Sequence, residues 1–162
     1  MTGTRRAIGG IAGALLLALP GRLPAQILMT VSGVPVTFPA PTGANFTAGF
    51  VLANGTVTYL IDATGGGANV ARTTIVSIRA TAATMGGTKP VTDLQYQRAD
   101  QPGTWTSVTA ANVVVETRPI QKNKLNDTWT NTLTFRTLLN YSTDAPGTYS
   151  ANLVFTLTVT TP

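Results

Sequence analysis

The sequence predicts an all-β sandwich. Apolar and polar residues alternate with a period of two through most of the chain, and the runs stop at Gly, Pro, Asn or Asp. Thr, a β-branched residue suited to a half-exposed pleated surface, occurs 28 times between residues 26 and 162. After residue 25 no helical period is found.

The first segment has a different pattern. Arg5 and Arg6 precede an apolar stretch from Ile8 to Leu19; Pro20 and Gly21 break it, and Leu23-Pro24-Ala25 places a small residue before Gln26. Residues 1–25 are therefore expected to be a signal-peptide helix cut between Ala25 and Gln26. Its apolar stretch is shorter than the roughly 20 residues that span a bilayer, so no stable membrane span is expected once it is removed. Arg5-Arg6 resembles the start of a twin-arginine leader, but Ala7, Ile8 and Gly9 suit general secretion better. The expected location is secreted, in a periplasm or at a cell surface. The leader holds Arg5, Arg6 and Arg22 and no acidic residue, so eight basic against six acidic residues leave a net charge of +2 rather than +5. The remaining cations are scattered, with Lys122 and Lys124 as one local pair. A nucleic-acid binder concentrates its basic residues, so none is expected as a partner.

Residues 26–162 read as one domain without an internal linker. Residues 27–38 alternate but are interrupted by Gly33 and Pro35, which suits an edge strand or one that changes sheets. Residues 39–43 read as a turn and 46–52 as a strand. Asn54-Gly55 reads as a tight turn, after which Val57, Tyr59 and Ile61 face one way and Thr56, Thr58 and Asp62 the other. Gly65-Gly66-Gly67 reads as a flexible loop. Residues 72–82 and 91–98 are further strands, separated by a loop that contains Gly86, Gly87 and Lys89. Asp100-Gln101-Pro102-Gly103 reads as a hairpin turn into a strand at 105–108. Val113-Val114-Val115 reads as a short central run, and residues 118–127 as a polar loop. Residues 128–139 alternate Trp129, Leu133 and Phe135 with Thr130, Thr132 and Thr134. Residues 149–160 alternate Leu153, Phe155, Leu157 and Val159 with Thr156, Thr158 and Thr160. Seven to nine antiparallel strands of this kind predict an immunoglobulin-like Greek-key β-sandwich.

The closing segment, with Tyr141, Asp144-Ala145-Pro146-Gly147-Thr148-Tyr149 and the alternating strand after it, resembles the closing hairpin of spore coat U-like and WxL-like bacterial surface domains. The likeness covers about 20 residues, and a terminal sandwich strand accounts for much of it. The chain departs from both patterns. It has no Cys, and Trp105-Thr106-Ser107 and Trp129-Thr130-Asn131 lack the Leu of a Trp-x-Leu motif. The resemblance implies an exported bacterial surface sandwich and assigns no functional residue.

The chemistry available is narrow. With no Cys and no His there is no disulfide, no thiolate or imidazole catalysis and no Cys- or His-based metal site, and no cofactor is expected. Of the carboxylates Asp62, Asp93, Asp100, Glu116, Asp127 and Asp144, most fall at turns, where Asp caps the local backbone. A small hydrolase acting through a carboxylate pair is therefore the least favoured function. Asn123, Asn126 and Asp127 lie beside Lys122 and Lys124, which disfavours calcium. Gly65-Gly66-Gly67 and Gly86-Gly87 lack the Lys-Ser/Thr and helix of a phosphate loop. Lys89, Lys122 and Lys124 fall in loops, away from the core-facing strand position of an isopeptide-forming lysine. The sequons at Asn45, Asn54, Asn126 and Asn140 read as chance matches in a Thr-rich chain. Trp129 shares a face with Leu133 and Phe135 and belongs to the core, whereas Trp105, after a Pro-Gly turn, is the candidate ligand contact.

The function expected is non-enzymatic: an exported structural or adhesion-type surface protein, in a sharper form a pilus-like fibre subunit in which residues 27–38 add as a strand to a neighbour. Self-association or another surface protein is the expected partnership. The alternative is a secreted carbohydrate-binding module that takes a glycan at Trp105.

Overall fold

The computed structural model describes residues 27–63, 71–121 and 127–161. The expected leader with Ala25 and Gln26, the Gly65-Gly66-Gly67 loop and residues 122–126 lie outside them. The alternating runs become ten strands. In chain order they are β1 (Leu28–Ser32), β2 (Val36–Phe38), β3 (Phe50–Asp62), β4 (Arg72–Ala80), β5 (Leu94–Arg98), β6 (Thr106–Ser107), β7 (Val113–Ile120), β8 (Thr128–Leu138), β9 (Tyr149–Ala151) and β10 (Leu153–Thr160). A helix α1 (Gly43–Ala48) precedes β3, and a single 3-10 turn, Val91–Asp93, precedes β5.

All strand pairs are antiparallel. One sheet has the order β1-β3-β8-β5-β6, a second the order β10-β4-β7, and β2 pairs with β9. The fold is all-β and sandwich-like. The chain changes sheets between β3 and β4, β4 and β5, β6 and β7, and β7 and β8, so neighbours in space are seldom neighbours in sequence, as in a Greek key. Among the described residues no helix is long and apolar enough to cross a membrane.

Period two decides what is buried. Val57, Tyr59 and Ile61 of β3, Val76 and Ile78 of β4, Leu94 of β5 and Leu133 and Phe135 of β8 are fully buried between the sheets. Each such aliphatic or aromatic side chain contributes about 1.5–3 kcal/mol of hydrophobic free energy. The alternate positions of the first sheet face outward as a Thr-rich surface. Thr128, Thr130, Thr132 and Thr134 line β8, and the Thr132 hydroxyl is 3.2 Å from that of Thr58 on β3.

Four local expectations are corrected. Phe46 lies in α1 rather than in a strand. The Thr42 hydroxyl accepts the Asn45 N–H (3.3 Å) while Asn45 Oδ1 accepts the Thr42 N–H (2.9 Å), a reciprocal cap that starts the helix, and Gly49 at φ 77° ends it. Asn54-Gly55 is an irregularity inside β3, not a turn, because β8 runs unbroken opposite and pairs on both sides of the shift between Leu52 and Thr56. Val113-Val114-Val115 opens an edge strand that continues to Ile120, not a central one. The final run breaks at Asn152 into β9 and β10, which bond different partners.

The reading of residues 27–38 holds. β1 pairs with β3 in the first sheet, the chain passes the cis Val34–Pro35 bond, and β2 then pairs with β9 beside the second. Gly33, at φ 91°, stands so close to β3 that a Cβ there would meet the Thr56 carbonyl oxygen at 2.2 Å.

Candidate functional site

A two-sheet sandwich has two lateral seams where edge strands face each other, and here they differ in chemistry. On one side β7 faces β5 and β8. Tyr96 donates its phenol proton to the Val114 carbonyl (3.2 Å), and Arg98 Nη1 donates to the Val115 carbonyl (2.8 Å). Side chains of the first sheet thus satisfy carbonyls of the second sheet's edge strand. The β4–β7 register shifts between Val76 and Ser77, a bulge that further spoils β7 as a template.

Beneath this cover Glu116 Oε2 accepts from Tyr59 Oη (2.5 Å) and from Trp129 Nε1 (3.3 Å), and its Oε1 is 3.6 Å from Arg98 Nη2. Arg98 binds both oxygens of Asp100, with Nε at 2.9 Å and Nη2 at 2.5 Å, and Asn131 donates to Asp100 at 3.1 Å. Arg118 stacks over Trp129 at 4.4 Å and reaches Asp127 at 3.4 Å. Burial, reinforced by the Glu116 hydrogen bond and charge, raises the Tyr59 phenol far above its ordinary value. Burial works against the Arg98 charge, but the Asp100 hydrogen bond and the Glu116 and Asp100 charges outweigh it and raise the guanidinium. The Arg98 hydrogen bond holds Asp100 below the usual carboxylate range. Asp100, at a turn as expected, and Glu116, on β7, therefore converge. One guanidinium couples them, and Asp100 is shifted away from what a general acid needs.

The opposite seam is open and apolar. β1 ends the first sheet and β10 the second, and the two approach each other across the gap. β2 covers the edge of β9, but among the described residues no strand covers the outer edge of β10. Cross-strand partners share a face, so inward-pointing residues can be identified by register. Met29 and Val31 of β1 pair with the fully buried Ile61 and Tyr59, and Phe155, Leu157 and Val159 of β10 pair with the buried Ile78, Val76 and Thr74. All five edge residues point into the sandwich, yet none is fully buried, and Val159 is 39% exposed. In a filled sandwich these positions are core. The signal was available in the sequence as the alternation of residues 27–32 and 153–159; what the sequence could not give was that β10 is also an edge, on the same side as β1.

Trp105 lies outside both seams, half-buried on the outward face of the first sheet. The Arg136 guanidinium sits 4.2 Å from its ring centre and 5.3 Å from that of Phe50, and Arg136 Nε donates to Gln95 at 2.8 Å. The cation occupies one face of the indole. Lys89 is in a loop, as expected, but it is buried, against what a loop position implied. Its ammonium contacts Asp93 and Asp144 beside a cleft of about 190 Å³. Comparison with known proteins finds no matching family, no matching curated protein and no matching solved structure.

Proposed function

We propose that this protein is a non-enzymatic, exported structural subunit of a cell surface whose copies join by strand addition at the β10 edge. The open seam carries the reading. An eight-residue edge strand leaves half of its backbone N–H and C=O groups pointing outward, beside inward-facing apolar side chains that are only partly buried. A strand added there gains main-chain hydrogen bonds from β10 and covers its Phe155, Leu157 and Val159. The opposite edge, blunted by its bulge and by Tyr96 and Arg98, offers no equivalent acceptor.

The donor is residues 27–38 of a second copy, whose alternation suits the seam; donation releases β1 from β3 and β2 from β9. Donor and acceptor surfaces differ, so the contact is heterologous and propagates as a filament unless it closes into a ring. Gel filtration at rising concentration and negative-stain microscopy of the chain starting at Gln26 test this. Val159→Lys should leave the monomer folded, because the position is 39% exposed, and should abolish assembly. A wild-type chain that stays monomeric at high concentration, unchanged by deletion of residues 26–38, refutes it.

A second reading, a carbohydrate-binding module, rests on the outward patch of Trp105, Phe50, Arg136 and the exposed Leu52, where aromatic surface lies beside hydrogen-bonding groups. Binding on a glycan array that disappears in Trp105→Ala supports it; a blank array rejects it.

A further inference from the structure

Lys89 and Asp144 form a buried pair, joined by Asp93, whose side chain is 32% exposed, and neither reading uses this cluster. The Lys89 side chain is 2% exposed and that of Asp144 is 5% exposed, and Nζ lies 2.6 Å from Asp144 Oδ2 and 2.7 Å from Asp93 Oδ2. Backbone hydrogen bonds fix all three. Met85 N–H donates to the Lys89 carbonyl (2.9 Å), and Asp93 N–H donates to the Pro90 carbonyl (3.2 Å). Asp144 N–H donates to the Asn140 carbonyl (3.0 Å), and the Asn140 N–H returns to Asp144 Oδ2 (2.8 Å). Ser150 N–H ties the two loops together at the Met85 carbonyl (2.9 Å), and Tyr149 Oη donates to the Ala145 carbonyl. An amine and a carboxyl group are thus held in contact at the wall of the cleft, with a second carboxylate touching the nitrogen.

We propose that Lys89 and Asp144 condense into an intramolecular isopeptide bond, with Asp93 as the proton carrier. The reaction begins when a proton passes from the Lys89 ammonium to the Asp144 carboxylate, which leaves a neutral amine facing a carboxylic acid. The Nζ lone pair attacks Asp144 Cγ and forms the N–C bond. Oδ2 takes the developing negative charge, steadied by the Asn140 N–H as in an oxyanion hole. Asp93 removes a proton from the nitrogen and delivers it to the other Asp144 oxygen, whose bond to Cγ breaks as water leaves. The net change, an ammonium and a carboxylate to an amide and water, balances without any oxidant, reductant or further reactant. The rigid approach supplies the driving geometry, because groups held at contact react with effective molarities of about 10⁵ M and above. A link across 55 residues would do in this cysteine-free chain what a disulfide does elsewhere.

Intact-mass measurement of the folded chain produced from Gln26 decides it. The expected result is a wild-type mass short by one water, with digestion yielding one branched fragment that joins Lys89 to Asp144. Lys89→Arg and Asp144→Ala should show the full mass of their sequences, and Asp93→Ala should show the full mass while keeping the wild-type circular dichroism spectrum. A folded wild type at full sequence mass overturns the proposal and leaves the cluster an ion triad. Water loss undiminished in Asp93→Ala overturns the role given to that carboxylate.

Discussion

Glu116→Ala should open the polar seam, and its cost follows from the donors left behind. Glu116 Oε2 is the acceptor for Tyr59, which is fully buried, and for the nearly buried Trp129 indole N–H. An orphaned buried donor costs about 1–3 kcal/mol, so losing the shared acceptor costs about 2–6 kcal/mol. Arg98 adds little, since it keeps Asp100 and the Val115 carbonyl. Tyr59→Phe removes one donor but leaves Glu116 bonded to Trp129 and beside Arg98, and should cost about 1.5–3 kcal/mol, the range for a hydrogen bond to a charged group. In the double variant no phenol remains to be stranded, so the two losses should fall short of their sum by about 1 kcal/mol or more. Asp100→Ala is the control. Its carboxylate is 52% exposed, so its ion pair with Arg98 is worth under about 1 kcal/mol, and its loss strands one buried donor, the Asn131 amide, at about 1–3 kcal/mol, against the two donors that Glu116→Ala strands. Urea unfolding followed by circular dichroism reads these values; with a slope of about 2 kcal/mol per molar, a 4 kcal/mol loss moves the midpoint by roughly 2 M. A Glu116→Ala midpoint no lower than that of Asp100→Ala, or strict additivity with Tyr59→Phe, would refute the account of the closed seam.

Gly33→Ala should lower stability by more than about 2 kcal/mol, because a positive-φ backbone and a Cβ placed 2.2 Å from the Thr56 oxygen both oppose it; thermal unfolding measures the loss. Alkaline pH should destabilise the fold. Burial raises the phenols of Tyr59, Tyr96 and Tyr149, with charge from Glu116 adding at Tyr59 and from Asp144 at Tyr149. The folded state therefore keeps protons that the unfolded chain releases above about pH 10. Stability is complete below that pH and is lost as pH rises toward the folded values. Melting temperatures taken stepwise upward from about pH 9 should fall, and Tyr59→Phe should reduce the fall; a flat profile contradicts the burial argument.

The alternating runs made the fold class, the principal strands and most of the core legible, because a period of two with Thr on one face has few other solutions. Trp129 beside Leu133 and Phe135 was readable for the same reason, as was the sheet change at Pro35. Pairing order was not readable. The Asn54-Gly55 dipeptide carries the same local signal whether it turns the chain or bulges one strand, and only the unbroken β8 opposite decides. The cap at Thr42 was missed because Asn45 stands where Glu or Gln is usual. The open seam needed two facts beyond the edge signal at residues 27–38: that β10 also ends a sheet, and that it does so on the same side as β1. Lys89 lies in a loop by sequence and in the interior by structure, since burial there comes from Asp93 and from Asp144, 55 residues away.

The outward face of β8 carries one more consequence. Its row of exposed Thr128 and Thr130 and half-buried Thr132 and Thr134 meets water through neutral hydroxyl and methyl groups, and the region from Gln26 onward carries a net charge of only +2. Salt acts on proteins mainly by screening charges, over about 10 Å at 0.1 M. A surface with so little net charge keeps nearly the same mutual repulsion across the dilute salt range in which screening is the main effect.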